Sequence, residues 1–192
     1  MATRERSSTS ILSRRALRID QNAKHPLYLF TLTGDELLSI ADISRVARDN
    51  AGELIGYQRE GVKRHIESIV EYLNQEEIIF PNSIILALST RVRFKQSRGP
   101  SVGDGLAAAG ILEIPLPNGS AAKPAWIVDG QQRAIALSKC NRSGFPIPVN
   151  AFVADEVELQ RDQFLRVNSS KPLPRGLITE LLPEVSTILP AN

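Results

Sequence analysis

Five consecutive residues carry most of the chemistry in this chain: Asp129-Gly130-Gln131-Gln132-Arg133. They follow an apolar run, Trp126-Ile127-Val128, and precede a helix-favouring run, Ala134-Ile135-Ala136-Leu137. The pattern reads as a buried strand that stops at Asp-Gly and turns straight into a helix, because Gly takes a positive φ without steric cost. A helix start leaves backbone N–H groups without intrahelical partners, at the positive end of the helix dipole, where an anion is favoured. Arg133 adds a planar fork of donors that suits phosphate. Gln131 and Gln132 donate or accept, and Asp129 can hold a metal-bound water or a ribose hydroxyl. The stretch is a candidate phosphate-binding loop. It reads equally as an ordinary strand-to-helix turn with polar residues facing solvent.

A second Gln-Arg pair, Gln58-Arg59, stands ahead of a second helix, from about Glu60 to Asn74. Val62, Ile66, Ile69 and Leu73 give that helix one apolar stripe. The two pairs could form facing walls of one site that grips a polyanion. His65 reads as a surface or boundary residue beside the stripe, and Tyr57 as packing. Asn168 follows a later helix and reads as a cap or as a residue pointing into the site.

The positioning elements are of mixed type. Leu27 to Leu32 reads as a strand. Thr33-Gly34-Asp35-Glu36 has the capping-box pattern and starts a helix whose apolar face is Leu37, Ile40 and Ile43. Ser83 to Leu88 is an apolar run of strand length, as expected of a central strand buried on both sides. Arg91 to Phe94 alternates, Gln96 to Gly105 is a Ser/Gly/Pro-rich loop, and Gly110 to Leu116 reads as a hairpin partner. Val149 to Ala154 is a further strand. A helix then runs to about Val167, with Phe164, Leu165 and Val167 packed and Gln160, Arg161 and Gln163 exposed. Leu177 to Leu182 suggests a last short helix, and the ending at Pro190-Ala191-Asn192 suggests a domain cut short. Interspersed strands and helices with hairpin-like pairs predict an α+β fold with a mixed sheet and packed helices.

Composition bounds the rest. A chain of 192 residues with 42% apolar residues holds one domain with a real core. It lacks both a run of roughly 20 apolar residues and a secretory h-region. One cysteine, Cys140, excludes an internal disulfide and fits a reducing, cytoplasmic setting. With two histidines, His25 and His65, it strongly disfavours a structural zinc site. The net charge of +2 hides an asymmetry: residues 1–24 hold six basic residues against two acidic ones. Those residues are expected to form a basic, flexible arm able to touch DNA or RNA phosphates, ahead of a domain over residues 25–192. Gly-x-Gly-x-x-Gly and Gly-x-x-x-x-Gly-Lys-Ser/Thr strings are absent, which disfavours Rossmann and P-loop nucleotide sites.

Ile127-Val128-Asp129-Gly130-Gln131-Gln132-Arg133 resembles the signature of the DGQHR-domain family, with Gln132 where the signature has His. Gly56-Tyr57-Gln58-Arg59, Pro81 to Ala87, and Phe164 to Lys171 resemble the same family, in the same order, so the likeness spans roughly residues 25–185. The family includes DndB-like proteins of DNA phosphorothioation islands and DpdB-like proteins of islands that place 7-deazaguanine in DNA. Its fold is similar to the ParB/sulfiredoxin superfold, in which a strand-Gly-x-x-Arg-helix element binds nucleotide phosphates. Gly130 and Arg133 match that Gly and Arg. Sulfiredoxin has its cysteine in this loop, where this chain has Gln131, so sulfinic-acid reduction is not expected.

The resemblance implies a nucleotide-binding, ATP-hydrolysing component of a bacterial DNA-modification system, with ATP and Mg²⁺ as cofactors. Gly130, Arg133, Gln58, Arg59 and Asn168 are the expected nucleotide-binding residues. Asp129, Gln131 or Gln132 would orient the attacking water. The alternative is a non-catalytic DNA-binding regulator or scaffold of such an island.

Overall fold

The computed structural model describes residues 10–22, 24–43, 60–99 and 104–168. Among the described residues, eight strands and four helices run in the order β1 (Ile11–Ile19), β2 (Leu27–Leu32), α1 (Gly34–Ile40), β3 (Ala41–Ile43), α2 (Glu60–Leu73), β4 (Ile84–Leu88), β5 (Arg93–Gln96), β6 (Ala108–Pro115), β7 (Ala125–Asp129), α3 (Gln131–Leu137), β8 (Ile147–Val153) and α4 (Val157–Asn168). All eight strands join one sheet in the order β3-β7-β4-β8-β2-β1-β6-β5. The β3–β7 and β4–β8 pairs are parallel and the others antiparallel, so the fold is α+β with a mixed sheet.

β4 lies between β7 and β8 and is buried on both faces, as its unbroken apolar run predicts. Ile84, Leu86 and Leu88 point into the main core with Ala134, Ala136 and Leu137 of α3 and Ile66 and Leu73 of α2. Ile85 and Ala87 point the other way, into a smaller cluster with Val128, Phe152 and Leu159 of α4. Successive strand residues alternate faces, so α1, α2 and α3 lie on one side of the sheet and α4 on the other. Full burial of each Leu or Ile side chain contributes about 1.5–3 kcal/mol.

α1 begins as its sequence predicts. Thr33 Oγ1 accepts from the Glu36 N–H, and a Glu36 carboxylate oxygen accepts from the Thr33 N–H. The other Glu36 oxygen accepts from Arg14 of β1. The helix is shorter than expected. It stops at Ile40, and Ile43 belongs to β3, paired with Ile127 of β7, because sheet pairing at Ala41 to Ile43 outcompetes another helical turn.

Two further expectations are corrected. Residues 11–19 of the expected basic arm form β1, which pairs with β2 on one edge and β6 on the other. The basic side chains tolerate this position because Arg14 pairs with Glu36 and Arg18 with Asp20. Gln160, expected on the exposed side of its helix, is buried at 2% exposure, and its Nε2 donates to the Ala154 carbonyl at 2.9 Å. The buried amide satisfies a carbonyl at the start of the helix, which offsets its own desolvation. The short helix expected over residues 177–182 lies outside the described residues.

Candidate functional site

The Asp129-Gly130-Gln131-Gln132-Arg133 turn sits where β7 ends and α3 begins. Gly130 is the residue before the helix, with φ +85° and ψ +23°, in the left-handed region. Space also demands glycine there. A Cβ on Gly130 would lie 2.6 Å from Ile84 Cδ1, 3.1 Å from Arg133 Nη2 and 3.2 Å from Arg133 Cζ. The guanidinium of Arg133 therefore folds back over the turn that precedes its own helix.

Arg133 is anchored by three hydrogen bonds. Nη1 donates to the carbonyls of Asn82 and Ser83, each at 3.0 Å, and Nη2 donates to Asp129 Oδ2 at 2.7 Å. Both partners of the Asp129–Arg133 ion pair are mostly shielded, with side chains 29% and 20% exposed. Three of the five donors of the guanidinium are thus committed to the protein. The arginine ties the end of β7 to the segment that leads into β4, and it meets any ligand as a charge already fixed in place. Ser83 is held further by Asn150 of β8, whose Nδ2 donates to Ser83 Oγ at 2.8 Å.

All five residues of the turn line one cleft of about 670 Å³. The facing wall is α2, which contributes His65, Ser68, Ile69 and Tyr72. The segment Ile79 to Asn82 closes a third side. That segment is pinned at both ends. The Tyr72 hydroxyl donates to the Ile79 carbonyl at 2.6 Å and accepts from the Ile79 N–H at 3.0 Å. At the other end Arg133 holds the Asn82 and Ser83 carbonyls. Phe80 packs edge-on against Phe145, with the Arg142 guanidinium 5.9 Å from the Phe145 ring centre. The volume falls within the usual range for a small-molecule or cofactor site.

Asp129, Gly130, Gln131, Gln132 and Arg133 are thus brought together at one cleft. Gln58 and Arg59 lie outside the described residues, as does Tyr57. Asn168 ends α4, the helix packed on the other face of the sheet, and its side chain lies outside the described ones. The residues that sequence reasoning missed are Ser68, Tyr72, Ile79 and Phe80. Ser68 and Tyr72 follow His65 at i+3 and i+7, a spacing that puts all three on one side of α2. The exposed apolar Ile79 beside a Phe-Pro pair was the remaining signal. Among the described residues no group of three His, Cys, Asp or Glu side chains is placed to hold a metal ion. No helix there is long and apolar enough to cross a membrane.

The model of the DndB family, described as DNA-sulfur modification-associated, matches residues 15–180. No curated protein and no solved structure matches the chain.

Proposed function

This chain belongs to the DndB family of DNA-sulfur modification-associated proteins, and on that premise we propose that it is the nucleotide-binding, ATP-hydrolysing component of such a system. The observation that carries the proposal is the cleft, which gathers the whole Asp-Gly-Gln-Gln-Arg turn opposite a helix wall. Gln131 and Gln132 offer side-chain amides, and the turn offers backbone N–H groups, to the oxygens of a polyphosphate. Arg133 supplies a fixed positive charge. Gln58 and Arg59 precede α2 in sequence and are proposed to close the site from that side.

Asp129 commits one carboxylate oxygen to Arg133. Its other oxygen is proposed to orient the attacking water, with Gln131 or Gln132 holding that water's second hydrogen bond. The water oxygen bonds to the terminal phosphorus as the bond to the bridging oxygen breaks, giving ADP, inorganic phosphate and a proton released to solvent. Mg²⁺ would neutralise the phosphates when bound. Substrate oxygens and the ion's own waters would complete its coordination, which leaves both Asp129 oxygens to the roles above. Among the described lining residues the one carboxylate, Asp129, is already ion-paired with Arg133, so slow turnover is expected.

The test is phosphate release from ATP with Mg²⁺, with and without DNA, for wild type, Asp129→Asn and Arg133→Ala. Release abolished by Asp129→Asn, with ATP affinity lowered by Arg133→Ala, is the expected result. Arg133→Ala with unchanged affinity refutes the phosphate assignment. No release and no calorimetric binding refutes the nucleotide reading altogether.

A regulator that binds DNA directly is the second reading, supported by one surface. Arg15 and Lys95 lie opposite Ile111, and Arg93 opposite Glu113, so all three cations share the sheet face away from α1, α2 and α3. Lys95 is paired with Glu113, and Arg14 and Arg18 are paired elsewhere, which leaves less free charge than composition promises. This reading predicts salt-steep DNA binding that needs no nucleotide and is weakened by Arg15→Ala and Arg93→Ala.

A further inference from the structure

The cleft has two chemically different ends, and the charge on its described lining residues is balanced. Among the described lining residues, the fixed charges are Asp129 and Arg133, and they neutralise each other across 2.7 Å. These residues give no surplus of positive charge to hold a polyanion. Apart from the turn, the lining is mainly apolar: Ile69, Tyr72, Ile79, Phe80 and Pro81, beside His65 and Ser68 of α2. Ile79 is 78% exposed, the most exposed of the large hydrophobic side chains among the described residues. Its backbone is nonetheless fixed on both sides of the residue by Tyr72. An exposed isoleucine on a tethered backbone costs hydration free energy unless something apolar covers it.

The two ends are close enough for one ligand to touch both. Ile79 and Asn82 are three residues apart, so they are separated by at most about 10 Å. Ile79 is bonded to Tyr72, and Asn82 to Arg133. A ligand lying along this wall would set a planar apolar group against Tyr72, Ile79 and Phe80 and an anionic group against the turn.

We propose that the apolar end is a nucleobase subsite, so that the cleft selects a base-bearing nucleotide over a bare polyphosphate. The inference rests on the nucleotide reading above and adds what gives that reading its affinity. The base contributes through contact with Tyr72, Ile79 and Phe80, and the wall needs no ordering on binding because both its ends are already hydrogen-bonded.

The test is calorimetry on the full chain with Mg²⁺, titrating ATP, adenosine and inorganic tripolyphosphate into wild type and Ile79→Ser. Ile79 is solvent-exposed, so the substitution leaves the core intact; a matching urea transition confirms it. ATP is expected to bind at least about tenfold more tightly than tripolyphosphate, the scale of one base–aromatic contact. Ile79→Ser is expected to weaken ATP several-fold and leave tripolyphosphate unchanged. Equal affinity for ATP and tripolyphosphate, with Ile79→Ser silent, overturns the base subsite while the phosphate site stands. Binding of neither compound overturns both.

Discussion

Replacing Gly130 by alanine tests the site and the fold together. Two costs add. Holding a residue with a Cβ at φ +85° costs about 1–2 kcal/mol. The new Cβ would also stand 2.6 Å from Ile84 Cδ1, and Ile84 is fully buried between neighbouring strands. Forcing an extra carbon into a packed core costs about 1–3 kcal/mol. The expected loss is therefore about 3 kcal/mol, from the left-handed backbone and the close packing combined. Gly144→Ala separates the terms. Gly144 has φ +77°, but a Cβ there meets nothing within 4 Å, so its cost is the backbone term alone, about 1 kcal/mol. Urea unfolding of the full chain measures both, with the slope m expected to stay constant. In a chain of this size each kcal/mol lowers Tm by roughly 2–4 °C. The Cβ would also press on the Arg133 guanidinium and disturb its hold on Asn82 and Ser83, so ATP affinity should fall in Gly130→Ala and not in Gly144→Ala. If the two variants lose equal stability, the packing argument is refuted.

Three further outcomes follow from single contacts. Thr33→Ala removes half of the capping box and should cost about 1 kcal/mol in the same urea assay, without changing ligand binding. Gly110→Ala would place a Cβ 2.4 Å from Phe94 Cζ and 2.5 Å from the Lys95 carbonyl oxygen, so β5 should detach from β6. Faster amide hydrogen exchange confined to residues 93–96 would show it, and unchanged exchange would refute it. Burial raises the Tyr28 hydroxyl above its ordinary value of 10.0, against a smaller lowering by Arg18. The folded chain thus keeps a proton that the unfolded chain loses. Stability should be complete below pH 10.0 and decline as pH rises from there through the folded value. Tyr28→Phe should flatten that decline, and an unchanged slope would assign it to another group.

The features legible in the sequence are those whose physics is local. A positive-φ glycine between a strand and a helix, a Thr-x-x-Glu cap and the α2 stripe are each decided within a few residues, and the structure shows all three. The apolar run of β4 announced a strand buried on both sides for the same reason. What the turn does was only half legible. Its side-chain chemistry and its place at a helix start marked Arg133 as a phosphate ligand; that three of its donors hold Asp129 and the carbonyls of Asn82 and Ser83, about 50 residues away, was not legible. Backbone carbonyls carry no side-chain signature, so no residue type announces them as partners. β1 was hidden because three arginines break its apolar alternation. It is a strand because β2 and β6 supply ladders on both edges and Glu36 meets Arg14. Gln160 reads as a surface residue until the fold brings the Ala154 carbonyl to it. The sequence by itself determined the turn, the caps and the apolar stripes, because each is a short-range balance of backbone freedom and burial. Only the tertiary structure decided which chain segments face one another across the cleft, because pairing between distant strands and carbonyl partners depends on the whole sheet.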